Sequence, residues 1–179
     1  MEAKLLRSVP AGLDEEADLG AWPPSFEEFY EASLRRLLTA LRLVTGDRHE
    51  AEEIAQEAFV RVLERWDRVG TLEDPTGYLF TVSMNVFRSR LRRTSLRLRR
   101  ALLLAPASTD DLAAVESRDE VVRLLATLPP QQRAAVLLTA ILDYSSEEAG
   151  RMLGLRAASV RSLTTRARAR MKQEVVDHP

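Results

Sequence analysis

Residues 145–172 have the sequence SSEEAGRMLGLRAASVRSLTTRARARMK, and this stretch decides how the chain folds. Ser145 and Glu148 have the spacing of a capping box, in which a hydroxyl and a carboxylate each satisfy a free backbone N–H. A short helix is expected from there through Leu153. Gly154 follows at the point where a left-handed residue ends a helix and turns the chain. A second helix is therefore expected over residues 156–172.

Three offsets within this pair of helices fit a helix-turn-helix. Gly150 is small where the two helices should cross closely, and Gly154 comes four residues later, at the turn. Val160 comes ten residues after Gly150, where a buried apolar residue would hold the second helix on the first. Taken alone, these offsets leave an ordinary helical hairpin as an equal alternative.

The chemistry of the second helix favours DNA. Short polar and basic side chains in its first half can reach base edges or phosphates in a major groove. Arg166 and Arg168 continue along the helix as phosphate contacts, which position a protein without reading sequence. The helix dipole would explain basic residues at the end of the helix, but not the polar cluster at its start. The residues of that cluster are Ser159, Arg161, Ser162 and Thr165.

The composition predicts an all-α protein. Of the 179 residues, 45% are apolar and 30% charged, which supports folded helical modules and excludes wholesale disorder. Aromatic residues, which favour β-strands, make up only 6% of the chain, so few strands are expected. We expect two small helical domains joined by a flexible linker.

The residue types that carry catalysis and metal binding are scarce. The chain has no cysteine, which excludes disulfides and thiolate metal sites. His49 and His178 are its only histidines, and neither a zinc site nor a Ser-His-Asp triad is expected from them. No phosphate-binding loop is present either. We therefore expect no catalytic residues, no metal, no cofactor and no enzyme activity.

The net charge of −1 hides a strong segregation of charge along the chain. One acid-free block holds seven arginines, a second holds five arginines and a lysine, and acids collect in the N-terminal tail and mid-chain. Such a distribution indicates two phosphate-facing surfaces, although solvated helix faces are the plain alternative. The first block is Arg88, Arg90, Arg92, Arg93, Arg97, Arg99 and Arg100. The second is Arg156, Arg161, Arg166, Arg168, Arg170 and Lys172.

The N-terminal residues lack the apolar core of a signal peptide, and no run of residues approaches the length of a membrane span. A cytoplasmic location without membrane insertion is therefore expected. Residues 1–24, with their prolines, glycines and acids, are expected to form a disordered acidic tail.

The rest of the chain divides into two helical modules. The first, residues 25–100, should contain a helix over 25–44 that stops near Gly46, a second capped by Asp47, a loop over 67–72, and a third helix capped by Asp74. Residues 101–111 are expected to be the linker. Residues 112–174 should hold a helix over 112–127, another from Pro130, and the helix-turn-helix. The apolar stripe expected to be buried on the second helix comprises Ala51, Ile54, Ala55, Ala58, Phe59, Val62, Leu63 and Trp66.

Four motifs in this order resemble a known family. They are AEEIAQEAFVR at 51–61, the segment 74–93 with Tyr78, Leu79, Phe80 and Asn85, LPPQQR at 128–133, and the helix-turn-helix at 145–171. The chain resembles an extracytoplasmic-function sigma factor, the two-domain sigma subunit of bacterial RNA polymerase. The resemblance implies a region 2 domain and a region 4 domain, and a factor that directs promoter-specific transcription initiation. The excess of Arg over Lys is typical of GC-rich genomes such as those of actinobacteria.

The resemblance also implies a role for each surface. Core RNA polymerase would bind Glu53, Gln56 and Glu57, and promoter DNA would bind at two places. The minus-ten strand would contact the loop with Arg68 and Gly70 and the helix with Asn85, Arg88 and Arg92. The minus-thirty-five element would meet Ser159, Arg161, Ser162, Thr165, Arg166 and Arg168. An anti-sigma factor is a candidate further partner.

Two details of the sequence bear on DNA contact. At Leu163-Thr164 the family often has a basic residue followed by an apolar one, so the facing of the recognition helix is expected to differ by a fraction of a turn. Phe87, like Tyr78 and Phe80, is a candidate for stacking on DNA, although aromatic residues at helical spacing more often belong to the core.

Two rival functions use the same features. A free-standing helix-turn-helix regulator would bind a palindromic site as a dimer, which leaves Gln56, Glu57 and the first arginine block without a purpose. A helical protein-interaction module would bind no phosphates and show no salt-sensitive DNA binding.

Overall fold

The computed structural model describes the backbone of residues 25–102 and 120–177, and all the elements in these ranges are helical. This confirms the expected all-α class. The expected tail 1–24, most of the expected linker, residues 112–119 and His178 lie outside the described residues. So do the side chains of Arg97, Arg99 and Arg100.

The first unit consists of α1 (Phe26–Thr45), α2 (Arg48–Leu63), α3 (Trp66–Val69) and α4 (Pro75–Leu102). Three of its helix boundaries lie where the sequence indicates. Asp47 Oδ1 accepts the N–H of Glu50 at 2.7 Å, and Asp74 Oδ1 accepts the N–H of Gly77 at 2.7 Å. Gly46 ends α1 with a φ of 75°, which side chains disfavour. Local hydrogen bonds therefore account for these boundaries.

The second unit consists of α5 (Glu120–Ala126), α6 (Pro130–Val136), a π-helical turn over Leu137–Ile141, α7 (Ser146–Leu153) and α8 (Ala157–Asp177). The capping box is present: Ser145 Oγ accepts the N–H of Glu148 at 3.2 Å, and the Glu148 carboxylate accepts the N–H of Ser145 at 2.8 Å. Gly154 ends α7 with a φ of 58°. The predicted cap and turn are both confirmed.

The contact between α7 and α8 has the geometry expected of a helix-turn-helix. A Cβ on Gly150 would lie 2.8 Å from the Leu155 carbonyl oxygen, so the turn closes tightly only over a glycine. Val160 is fully buried against α7 and the rest of the core. The predicted small residue and buried valine are thus where the motif requires them.

Several sequence-based expectations were wrong in detail. Residues 67–72 are not wholly a loop, because Trp66–Val69 form the short helix α3. Leu63 is 51% exposed rather than buried with the α2 stripe. Phe80 and Phe87 are 1% and 3% exposed, so both belong to the core and neither is available to stack on DNA. Separately, α4 extends through residues 101 and 102, so its helical backbone runs two residues past the first expected module.

The two units pack against each other and share one hydrophobic core. The first half of α4 lies along α7, and α6 lies against α1 near its C-terminal turn. The rings of Phe80 and Tyr144 are 6.4 Å apart across this boundary, and the guanidinium of Arg133 lies against Gly46. The sequence did not predict this arrangement, because no local pattern indicates which helices pack together across the linker.

Replacing Ser145 by alanine should weaken the start of α7. The Glu148 N–H loses its acceptor, which costs about 1 kcal/mol of stability. The pKa of Glu148 should also rise toward its ordinary value, because the hydrogen bond from the Ser145 hydroxyl is the main cause of its lowered pKa. Urea denaturation and a carboxyl NMR titration would measure both, with Ser146→Ala as the control that leaves both unchanged.

The effect of this substitution should depend on pH. A carboxyl whose folded pKa is lowered stabilises the fold fully above its unfolded pKa, and loses that contribution as the pH falls through the folded pKa. The stability difference between the wild type and Ser145→Ala should therefore shrink in acid. A difference that grows with acidity would contradict the role of this hydrogen bond.

Candidate polymerase and DNA interfaces

One surface of α2 carries Glu53, Gln56 and Glu57, all accessible to solvent. Arg90 of α4 reaches across and pairs with both carboxylates, with its Nη2 3.1 Å from Glu57 Oε2. Arg61 pairs with the other oxygen of Glu57 at 2.6 Å. The hydrogen bond from Arg90 is the main cause of the lowered pKa of Glu53. The structure therefore brings the three predicted residues together on a face that α4 helps to order.

An apolar groove of about 550 Å³ runs beside these residues, between α1 and α2. Val60 and Leu63 on its α2 side are 50% and 51% exposed, and Tyr30 on α1 is 38% exposed. Its wall also includes Gln56. No expectation from the sequence covered this groove. A usable signal was present, because Val60 is apolar yet lies off the stripe that packs into the core.

The loop expected to hold a flipped base begins on α3. Arg68 is exposed there, and its carbonyl accepts the hydroxyl of Thr71 at 2.9 Å. Gly70 caps α3 with an ordinary φ of −63° and lies on the ring of Trp66, where a Cβ would come within 3.2 Å. A side chain at this position would press on the indole of Trp66 by a few tenths of an ångström, whereas the backbone itself is not left-handed.

Asn85, Arg88 and Arg92 follow one another along α4 at helical spacing, and the structure keeps them on one stripe. Arg88 Nη1 donates to Asn85 Oδ1 at 3.1 Å. Asn85 and Arg92 are exposed, whereas Arg88 is half-buried, with its guanidinium over Gly154 of the second unit. Burial, followed by repulsion from Arg92, lowers the pKa of Arg88. Arg88 therefore contacts the turn of the helix-turn-helix.

The recognition helix α8 has two distinct sides. Its buried side carries Val160, Leu163 and Ala167. Ser159 lies half-buried at the edge, and the other predicted residues are exposed. Leu163, where the family often has a basic residue, is buried in the core. The polar side of α8 therefore still faces the solvent. The exposed residues are Arg161, Ser162, Thr165, Arg166 and Arg168.

Arg161 has a partner that was not expected from the sequence. Its Nη1 lies 3.2 Å from Glu147 Oε1 on α7, so the scaffold helix holds the first arginine of the recognition helix. The two residues are separated by fourteen positions and a turn. No local pattern in the sequence indicates such a pair.

Within residues 25–102 and 120–177, no three histidine, aspartate or glutamate side chains are grouped closely enough to hold a metal ion. None of the helices in these ranges combines the length and the apolar character needed to cross a bilayer.

Comparison with known proteins identifies both units. The family model for Sigma-70 region 2 matches residues 29–97, and the model for Sigma-70, region 4 matches residues 118–171. The ECF RNA polymerase sigma factor SigE of Mycolicibacterium smegmatis is 32% identical over 87% of this chain and 63% of its own length. The RNA polymerase sigma-E factor of Streptomyces avermitilis is 31% identical over 84% of each chain.

The fold is also shared with a solved structure. The sigma factor RpoE, in complex with the anti-sigma factor NepR from Bartonella quintana, superposes with a TM-score of 0.65 at 20% identity. The match covers 86% of this chain and 98% of that one.

These findings define a sigma-70-type transcription factor built from a region 2 and a region 4 domain. Within that class, the chain belongs to the extracytoplasmic-function RNA polymerase sigma factors. It is a DNA-binding sigma factor of promoter-specific transcription initiation. The family accounts for the helix-turn-helix and the first module together, which neither rival function does.

Replacing Glu147 by glutamine should release Arg161. Because the pair is largely exposed, stability should change by less than about 0.5 kcal/mol. Affinity for duplex DNA at low salt should rise by roughly twofold to fivefold, since Arg161 no longer has to leave a carboxylate to reach phosphate or base. Fluorescence anisotropy with a labelled duplex would measure the change.

Glu27→Gln is the matched control, because Glu27 is an exposed acid on α1, in the other unit. An equal gain in both variants would mean that only net charge matters, and a loss in Glu147→Gln would show that the pair orients Arg161 productively.

Proposed function

We propose that three surfaces have separate binding roles in transcription initiation. In this proposal α2 binds core RNA polymerase, α3 and α4 bind the minus-ten strand, and α8 recognises the minus-thirty-five element. The observation that carries this proposal is the two-sided character of α8. Its core side is fully apolar, while Arg161, Ser162 and Thr165 lie together on the solvent side. Every amphipathic surface helix has a polar side, but on α8 that side holds short polar and basic residues in a stretch, 156–172, that contains no acid.

The docking surface on α2 combines the kinds of contact that protein interfaces use. The exposed Val60 and Leu63 supply apolar area beside Gln56, and Glu53 and Glu57 supply charge at the edge. Interfaces of this kind gain affinity from a buried apolar centre, whereas charged rims set orientation and association rate. Because Arg90 already holds both carboxylates, little side-chain entropy is lost when a partner docks.

The minus-ten strand would lie along Asn85, Arg88 and Arg92 toward Arg68. Basic side chains in a row track a phosphate backbone, and Asn85 can exchange hydrogen bonds with a base edge. Extruding a base costs a few kcal/mol, which stacking and hydrogen bonds must return. The segment 68–72 contains no aromatic residue, so we propose that hydrogen bonds from this loop offset the cost of extruding the base.

The two DNA contacts are proposed to act as one. Each surface is small, and joining them through the linker makes the second contact effectively intramolecular, which raises the overall affinity without new contacts. We place the region 2 domain at 25–100, the linker at 101–111 and the region 4 domain at 112–174. The protein would act in the cytoplasm with no catalytic step of its own.

Two single substitutions should separate the two kinds of binding. Arg161→Ala should weaken binding to a promoter fragment by about 1–3 kcal/mol, roughly fivefold to 150-fold, because a base or phosphate contact is lost. Gln56→Ala should leave that binding unchanged and weaken binding to core polymerase by about 1 kcal/mol. Each variant is assayed against both partners, so that each serves as the control for the other.

Run-off transcription with purified core polymerase and a genomic promoter library tests the whole proposal. Start sites that depend on this protein are expected. Their absence with demonstrably active core enzyme, or equal losses of both affinities in Arg161→Ala, would contradict the assignment.

A further inference from the structure

The groove between α1 and α2 holds most of the large apolar side chains that are exposed among the described residues. There are five such side chains, and three of them, Tyr30, Val60 and Leu63, line this groove. Contiguous apolar surface of this kind marks an interaction site, whereas single exposed residues are ordinary. The face proposed to bind core polymerase is therefore a surface that also calls for a cover when polymerase is absent.

The groove is apolar at one end and charged at the other. At the apolar end, the ring centroids of Tyr30 and Phe59 are 4.7 Å apart. At the charged end, Glu52 pairs with Arg42 at 3.1 Å and with Arg48 at 2.8 Å. The side chain of Arg48 is 78% exposed, and it shares that carboxylate with a second guanidinium. Arg48 is therefore accessible to a further acidic partner.

The chain enters the groove at its apolar end. Ser25 caps α1, and the first helical residue, Phe26, already lines the groove. The segment 13–24 that precedes the cap has the sequence LDEEADLGAWPP. Trp22 comes three residues before Ser25, so it stays within about 10 Å of the cap. A tryptophan tethered this closely is always available to the apolar end of the groove.

The order of residue types in this segment matches the order of the two ends of the groove. Leu19 and Trp22 are close to Ser25 in the chain, and the apolar end lies there. Four acids come seven to eleven residues before Ser25, and when extended they can reach about 23 to 38 Å from it. The charged end, at Arg42, is about 24 Å from Phe26 along α1. The acids are Asp14, Glu15, Glu16 and Asp18.

We propose that residues 13–24 fold back into the groove between α1 and α2, with Trp22 at its apolar end and the acids at Arg48. The segment then covers the face on which core polymerase docks, because Gln56 and Val60 line the groove that it fills. It must leave before polymerase binds, and the two therefore compete. The position of the segment goes beyond the proposed function, whereas the competition rests on the proposed docking of polymerase on α2.

A weak contact is enough for this competition, because the segment is tethered beside the groove. A short tether gives an effective concentration of about 1 mM, so an intrinsic dissociation constant of about 0.1 mM would fill the groove in about ten chains for every open one. Burial of one tryptophan and one leucine is on the scale of such a contact. The apparent affinity for core polymerase would then be about tenfold lower than that of the open chain.

The position of the segment is tested in the full chain, which has no cysteine of its own. A nitroxide at Ala11→Cys, just outside the segment, should broaden the methyl NMR signals of Leu38, which lines the groove about 20 Å from Ser25 along α1. Leu19→Ser combined with Trp22→Ser should remove this broadening, because both apolar anchors are lost. Sharp Leu38 signals in the wild type would overturn the proposal.

The matched control is Leu5→Ser combined with Leu6→Ser, which removes two large apolar side chains from outside the segment. It should leave the broadening of Leu38 unchanged. On the groove side, Val60→Asp should also release the segment, because it places a carboxylate in the apolar end. Val60 is 50% exposed, so the fold should tolerate the change, and circular dichroism verifies that it does.

A second copy of the chain is the other occupant that the experiment distinguishes. Spin-labelled chains are mixed with isotope-enriched chains that carry no label, so that any broadening of Leu38 arises between molecules. The enriched chains should show none. Broadening in the mixture equal to that within one chain would mean that another copy fills the groove, contrary to the proposal.

Competition is measured as the affinity of the full chain for purified core polymerase. Leu19→Ser with Trp22→Ser should bind about tenfold more tightly than the wild type, and Leu5→Ser with Leu6→Ser should bind as the wild type does. An unchanged or weaker affinity with the segment released would refute the competition. If neither the wild type nor the released chain bound core polymerase, the proposed function and the competition would both fail, and the spin label would still decide where the segment lies.

Discussion

The first half of α4 is buried on two opposite sides, and each side needs its own covering surface. Gly77, Thr81 and Arg88 fall on one stripe by helical spacing, and they contact the second domain. Residues 79, 83, 86 and 90 fall on the opposite stripe, from which Arg90 reaches α2. A helix that is covered on both sides needs more than one small domain to cover it. The two-domain packing follows from this constraint.

The same helix also organises the charges around it. Arg90 on the α2 side is held by two carboxylates, whereas Arg88 on the other side meets a glycine turn and repulsion from Arg92. One arginine of the first basic block is therefore paired with acids of its own domain, and its near neighbour instead contacts the turn of the other domain. A run of basic residues in the sequence thus contains residues with different roles, and the role of each depends on the side of the helix on which it lies.

The local features of the fold were predictable because their causes are local. Asp47, Ser145 and Gly154 act within four residues of their own positions, so capping and turn chemistry locate the helix ends. The errors arose where neighbours distant in sequence decide burial. Leu63 fits the α2 stripe by spacing but lies outside the core. Phe87 is buried by other helices, which the sequence pattern of α4 cannot identify.

By itself, then, the sequence determined the helical class, the helix-turn-helix and the residue types on its recognition helix, since hydrogen bonds and periodicity act over a few residues. Tertiary structure alone decided that Arg90 holds Glu53, that Glu147 holds Arg161, and that Arg88 lies on Gly154. These pairs join side chains far apart in sequence, and they meet only because separate helices bury complementary apolar stripes. Packing, not pattern, sets which charges become neighbours.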